Sequence, residues 1–368
     1  MPQLSKKKSP SNSRIKRHER RIVLTIALSW TVADFLFFWW REMTGLLSPK
    51  YYLPGVNFTR EVLLRELNVF LIGLIIGYFL VSVLKNYLRN SSLWFNLFIK
   101  TLILILAAFI MNFFIYVTYE CLINGYSLNR ALEKLVDNVF HDRWLLKKMP
   151  EWAVFFIVTL LALEVNEKYS KGVFFDIMLG RYLHPREERR IILFLDLRDS
   201  TPIAEKLGHK EYFKFIRDFI YYISAGFVEN DGRIYQYVGD EIVVWWPESK
   251  ANARKAINAL LAARKELHKQ FDRFKQRYDT LPEYKAGIHA GLVTVGQVGV
   301  IKKDLVMSGD AINTAARIRS ACTETNHKYI ASKDVIDLLD MEEWQAEPMG
   351  SFELKGKNNT IELFALKI

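Results

Sequence analysis

Apolar positions fall along this chain in two rhythms: long unbroken runs up to residue 165, then short runs split by polar turns beyond residue 190. Ile22–Trp40 is close to the ~20 residues that a helix needs to cross a bilayer. Leu67–Leu84 and Leu97–Tyr119 repeat the pattern, and Trp152–Val165 gives a shorter fourth run that lengthens toward Leu145 only if Lys147 and Lys148 snorkel. Four transmembrane helices are expected. Asp34 interrupts the first of them and is expected to face the helix bundle. Gly73 and Gly77, four apart in the second, permit a close helix approach. Ser127–Phe140 carries Leu128, Ala131, Leu132, Leu135, Val136 and Val139 at helical spacing, which predicts an amphipathic helix outside the bilayer.

Asn166–Arg190 connects the two regions, with an apolar helical face at Val173, Phe174, Ile177, Met178 and Leu179 that His184-Pro185 breaks. Five apolar residues, Ile191–Leu195, then run into Asp196 as a buried strand would. Helices are expected at Ile203–Leu207, Lys210–Glu229 and Lys250–Tyr278, with a hairpin over Ile234–Pro247 turning at Gly239-Asp240. Strands at Tyr284–His289, Leu292–Val298 and Leu305–Ser308 precede a helix at Ala311–Cys322. A short strand at Tyr329-Ile330, a helix at Ser332–Leu339 and a hairpin of Ser351–Leu354 with Thr360–Leu366 close the chain. This order predicts an α+β sandwich of ferredoxin type behind an α-helical membrane domain.

Composition decides which surfaces the chain meets. It has 368 residues, a formal net charge of +11, and 51% hydrophobic and 14% aromatic residues. Lys6, Lys7, Lys8, Arg14, Lys16, Arg17, Arg20 and Arg21 crowd directly before the first apolar run. That placement points to the cytoplasmic face of a lipid bilayer and away from nucleic acid as the partner. The 85–96 loop carries Lys85 and Arg89 without an acid, so it too is cytoplasmic; an even number of spans leaves both termini there, in a multi-pass protein of the inner (plasma) membrane. The run is too long and aromatic for a signal peptide. Cys121 and Cys322, far apart and in unlike surroundings, give neither a disulfide framework nor a zinc site. The resulting division is a basic tail over 1–21, a membrane domain over 22–165, a linker over 166–189 and a catalytic region over 190–368.

A carboxylate at the end of a buried strand needs compensation. Asp196 alone is as consistent with a turn or a helix cap as with a metal site. Asp240, at the tip of the hairpin, changes the balance. Two strands of one sheet can set Asp196 and Asp240 side by side, and paired carboxylates holding two Mg²⁺ ions are suited to in-line attack on a phosphate.

Four stretches occur in order: Phe194-Leu-Asp-Leu-Arg-Asp-Ser-Thr201, Val238-Gly-Asp240, Gly309-Asp-Ala-Ile-Asn-Thr-Ala-Ala-Arg317 and Leu354-Lys-Gly-Lys357. Together they resemble the class III adenylate/guanylate cyclase catalytic domain, of the bacterial membrane-anchored type. The resemblance implies two Mg²⁺ ions per site, with Mn²⁺ able to substitute, at Asp196, Leu197 and Asp240. It implies Asn313 and Arg317 as the pair that orients the ribose and stabilises charge on the α-phosphate. Lys355 would contact the terminal phosphates, with Lys357 as the less favoured substitute, and Thr201 the nucleotide. It also implies a homodimer with shared sites, metal residues from one subunit and Asn313 and Arg317 from the other. Gly287–Gly291 fits the family, with His289 a packed strand residue and not a ligand.

Three positions depart from the family pattern. Base selection falls to Gln236 and Val306, where the family usually has Lys with Asp or Thr for adenine, or Glu with Cys for guanine. The base is therefore open, with ATP favoured and GTP the alternative. Asp199 stands where a Gly is common, an extra carboxylate that would weaken triphosphate binding or bind metal. Two rivals are weighed. Val238-Gly-Asp-Glu-Ile242 resembles the hairpin of diguanylate cyclases, but lacks its first Gly and its Phe. A catalytically silent cyclase-like receptor domain would explain Gln236 and Val306, but not the retained metal and Asn/Arg residues.

Overall fold

A computed structural model describes residues 12–44, 58–88, 91–141, 144–168, 173–301, 303–339, 346–353 and 360–368. These divide into two compact units, one over Lys16–Glu167 and one over Lys168–Ile368.

The first unit is helical. It contains α1 (Asn12–Thr44), α2 (Phe58–Tyr78) continued by a π-helical turn over Phe79–Leu84, α3 (Lys85–Leu88), α4 (Leu93–Leu122), α5 (Leu128–His141) and α6 (Trp144–Lys168). Three windows among the described residues are long and apolar enough to cross a membrane: Glu19–Trp40, Val62–Leu84 and Trp94–Leu122. The fourth expected span, Trp152–Val165, lies inside α6 and buries Trp152, Phe156 and Leu163 in one core with Trp30, Val69 and Met111. Trp30 Nε1 donates to Thr159 Oγ1 at 2.8 Å, which ties α1 to α6. The glycine spacing in α2 works as expected, since a Cβ on Gly73 would sit 3.0 Å from Ala27 Cα. Asp34 faces the bundle at 2% exposure. Arg65 donates to its two carboxylate oxygens through Nε at 2.6 Å and Nη2 at 2.9 Å. A bidentate partner is what makes an acid tolerable at that depth.

The second unit carries α7 (Val173–Met178), β1 (Arg186–Leu197), α8 (Ser200–Glu229), β2 (Arg233–Val238), β3 (Glu241–Pro247), α9 (Lys250–His268), α10 (Phe271–Tyr278), β4 (Tyr284–Val298), β5 (Asp304–Ser308), α11 (Asp310–Glu324), β6 (Tyr329–Ser332), α12 (Lys333–Ile336), β7 (Ala346–Glu353) and β8 (Thr360–Leu366). The strands form one sheet in the order β2-β3-β1-β4-β6-β8-β7, with β5 paired to β4. Every pairing is antiparallel except β4 with β6.

β1 is central and covered on both faces, which is why its apolar run is unbroken. Ile191, Leu193, Leu195 and Leu197 face the helical layer and pack with Phe215 and Phe219 of α8 and Ile257 and Leu260 of α9. Ile192 and Phe194 point to the other face, where Val243, Trp245, Ala311 and Ala315 meet them. Two boundaries differ from the sequence expectation. The two strands expected over 284–298 are one continuous β4, because β1 pairs through Ala290 and Gly291 without a break. The two helices expected over 203–229 are both present within α8 and meet at Gly208, whose backbone (φ 71°, ψ 160°) is not helical. The long helix over 250–278 breaks between α9 and α10, which re-aims α10 so that Phe274 and Tyr278 each lie 5.3 Å from the Phe215 ring.

α11 reaches the sheet through a glycine. A Cβ on Gly287 would sit 2.3 Å from the backbone nitrogen of Arg319, which no side chain movement can relieve. Gly287→Ala is expected to push α11 off β4 and cost about 1–3 kcal/mol, typical of overpacking. At ~2–4 °C per kcal/mol for a domain of this size, a melting scan checks it.

Candidate active site

The end of β1 and the β2–β3 turn build the acidic half of the site. Asp196 stands opposite Glu241 on β3 and opposite Lys285 on β4, and Asp240 precedes Glu241 at the turn. Asp196 is 14% exposed and pairs with Lys285 Nζ at 3.4 Å and Arg319 Nη1 at 3.2 Å. Arg319 reaches Glu241 with its other terminal nitrogen at 2.6 Å. Burial raises the Asp196 carboxyl above the ordinary carboxylate range; the charge of Asp240 adds to this, while Arg319 and Lys285 oppose it. Burial likewise raises Glu241, with Arg319 opposing and Asp196 adding.

Asp240 Oδ2 is buried without a hydrogen-bond partner. Such an atom is costly in a finished structure and natural in a half-built ion site. The donors gathered here are carboxylate oxygens, which suit hard divalent cations of the Mg²⁺ kind. Leu197 is 1% exposed with an apolar side chain, so its backbone carbonyl is the group it has to offer.

Asn313 and Arg317 lie on a different face of α11. Ala311, Thr314, Ala315, Ile318 and Cys322 form the buried face, while Asn313 is exposed and Arg317 half-buried. Gln236, exposed on β2, and Val306, half-buried on β5, flank a hydrogen bond from the Met307 N–H to Tyr235 Oη at 2.9 Å. Thr201 is exposed in the first turn of α8. Lys355 and Lys357 lie outside the described residues.

Asp199 is in the left-handed region (φ 55°), the backbone conformation a glycine adopts freely and Asp tolerates. Its carboxylate is 73% exposed and pairs with Arg198 Nε at 3.6 Å. It is therefore no part of the acid cluster. His289 is 7% exposed, with Nδ1 2.8 Å from Ser332 Oγ, a packed strand residue. Sequence reasoning missed Glu241, Lys285 and Arg319. A signal existed for the last: Arg319 sits four after Ala315, on the helix face that is otherwise small or apolar.

Residues 184–367 match the family described as the adenylate and guanylate cyclase catalytic domain. The chain belongs to this family. Among its relatives, "Adenylate cyclase 2" of Rhizobium meliloti is 29% identical over 209 residues, 56% of this chain and 58% of that protein. The "Adenylate cyclase" of Anabaena cylindrica is 29% identical over 186 residues, 49% of this chain and 37% of that protein. "Receptor-type guanylate cyclase gcy-13" of Caenorhabditis elegans is 27% identical over 191 residues, 49% of this chain and 18% of that protein. The chain thus spans less than two thirds of the length of each. A solved bacterial light-regulated adenylyl cyclase shares the fold, with a TM-score of 0.52 at 20% identity over 60% of this chain and 65% of that one.

Proposed function

We propose that the protein is a membrane-bound adenylate cyclase that converts ATP to 3′,5′-cyclic AMP and diphosphate. The observation that carries this reading is the buried, unpartnered Asp240 oxygen beside Asp196. The ribose 3′-oxygen forms a bond to the α-phosphorus, the bond from that phosphorus to the bridging oxygen of the β-phosphate breaks and diphosphate leaves, and the hydroxyl proton passes to water. Asp196, Asp240 and the Leu197 carbonyl would hold two Mg²⁺ ions, replaceable by Mn²⁺. When bound, these supply Lewis-acid activation of the hydroxyl and neutralise charge on the phosphates. Asn313 orients the ribose, and the Arg317 guanidinium stabilises the charge growing on the α-phosphate. Thr201 and Lys355 contact the nucleotide phosphates. Asn313 and Arg317 face away from the acid cluster of their own chain, which favours a homodimer with each site shared. The basic tail, the apolar spans and the linker over 166–189 support an anchor in the inner membrane, with the 190–368 catalytic region and both termini cytoplasmic.

Relatives named adenylate cyclase support ATP. The second reading, guanylate cyclase, is favoured by one residue: the Gln236 amide both donates and accepts, so it can serve either purine edge. Supplying the full-length protein with ATP or GTP separately, with Mn²⁺, and weighing the products by mass spectrometry tests both. Cyclic AMP from ATP is expected. Cyclic GMP alone establishes the second reading, and no cyclic product from either nucleotide overturns the proposal.

A further inference from the structure

Arg190 is the one arginine that the described part of this fold buries almost completely, at 1% side-chain exposure. It lies on β1 six residues before Asp196, outside the acid cluster. Its guanidinium stacks over the Trp245 ring at 3.5 Å. Nε and Nη2 donate to Glu188 Oε2 at 3.1 and 2.6 Å, and Nη2 lies 3.3 Å from Tyr182 Oη. Nη1 points at Met307 Sδ, 2.9 Å away. A thioether is a weak acceptor for a guanidinium, and burying a cation is expensive. Replacing a buried ion pair by well-packed apolar side chains is often neutral or stabilising, so stability alone does not account for the arginine. What the arginine adds is a fixed direction.

That direction leads to the base positions. Met307 follows Val306, and its N–H is held by Tyr235, which precedes Gln236. Arg190 therefore fixes one end of the link that sets β5 against β2. The other end of the network lies in the segment after α7. Tyr182 is 2% exposed, and its carbonyl accepts from the Gln297 N–H on β4 at 3.2 Å. Its hydroxyl meets Glu188 Oε1 at 3.3 Å, as does Arg181 Nη2, and Arg181 Nη1 continues to Asp176 of α7 at 3.2 Å. Burial, then the neighbouring Glu188, raises the Tyr182 hydroxyl above its ordinary range, so it remains a donor.

We infer that Arg190 is a positioning residue for the purine base: through Met307 and Tyr235 it sets the gap between Gln236 and Val306, and through Tyr182 that gap depends on the linker. This rests on the cyclase reading above. Nothing in it involves the metal or the triphosphate, so the effect belongs to base recognition alone.

The test uses the full-length protein, with Arg190→Met, Arg190→Lys and Tyr182→Phe. Equilibrium binding of ATP, GTP and inorganic tripolyphosphate is measured with Mn²⁺, alongside kcat, KM and melting temperature. Arg190→Met is expected to weaken ATP about tenfold and narrow the ATP-to-GTP ratio, with tripolyphosphate affinity unchanged and kcat within about threefold. Arg190→Lys keeps the charge but not the fork, and is expected to restore little. Tyr182→Phe, which leaves the buried cation in place, is expected to move ATP affinity the same way by about threefold. Equal losses for ATP and tripolyphosphate, or melting and kcat falling together, would mark Arg190 as merely structural and overturn the inference. Unchanged nucleotide ratios in both Arg190→Met and Tyr182→Phe overturn it as well. A wild-type protein that binds no nucleotide sinks the cyclase reading and this inference with it, whereas wild-type binding with unaffected variants sinks the inference alone.

Discussion

Asp240→Asn is expected to abolish cyclisation while the protein remains folded. The substitution keeps the shape of the side chain and removes its charge. Losing one carboxylate from a two-metal site removes several kcal/mol of transition-state stabilisation, on the order of 10³-fold in rate. The same change is expected to stabilise the metal-free protein. Burial and then the Asp240 charge hold the Asp196 carboxyl above its ordinary range, and burial raises Glu241. The folded state therefore binds protons more tightly than the unfolded chain does. What these two groups contribute to metal-free stability is fully present below the ordinary carboxylate range and is lost as pH rises through the raised values. Removing Asp240's charge relieves part of that loss, and a gain of about 1 kcal/mol would raise the melting temperature by ~2–4 °C at pH 7. Adding Mn²⁺ reverses the ranking: a ligand at about 100 times its Kd stabilises wild type by about 2.7 kcal/mol, and the variant gains little. Melting scans with chelator and with Mn²⁺, at pH 5 and pH 7.5, read all of this. A variant that keeps the full Mn²⁺ shift would remove Asp240 from the metal site.

The acidic residues were legible because their local context is strong. Five apolar residues running into Asp196 make a buried strand, and Gly239-Asp240 between two β-rich runs makes a hairpin tip. Their basic partners were not legible, because register and close approach place them. Lys285 meets Asp196 only through the pairing of β1 with β4, and Arg319 arrives only because Gly287 lets α11 lie on the sheet. The strands expected at Tyr284–His289 and Leu292–Val298 leave Gly291 between them. It is instead a contact point, where a Cβ would sit 2.9 Å from the Ala311 methyl. The break between α9 and α10 has neither Gly nor Pro to announce it, and accompanies the edge-to-face packing of Phe274 and Tyr278 on Phe215. In the helical unit Asp34 was visible as an intruder in an apolar run, but its partner Arg65 lies just before the run expected for the second span. Arg190 was passed over for the opposite reason. It sits at the junction of a charged stretch and a strand, where a solvated side chain is the ordinary outcome.

Two inactive variants are expected to restore each other. Arg317 and Arg319 are two residues apart on α11, which at about 100° per residue sets them on nearly opposite sides of the helix. Arg319 turns to Asp196 and Glu241 of its own chain, while Arg317, half-buried, and Asn313, exposed, lie on other sides of the helix. A site that needs both the acid pair and Arg317 would then be assembled from two chains, with two-fold symmetry making two equivalent copies. Asp240→Asn and Arg317→Ala should each be inactive alone. In a mixed dimer one site carries both lesions and the other carries neither. Random co-assembly makes half of the dimers mixed, so co-expression should recover roughly a quarter of wild-type activity, and dimers purified through two different tags roughly a half. Sites complete within one chain predict no recovery at all, and dimers that fail to form predict none from the doubly tagged fraction. The readout separates the shared site from the metal assignment, because Asp240→Asn alone tests the acids, whereas rescue appears only if Arg317 acts on the partner's nucleotide.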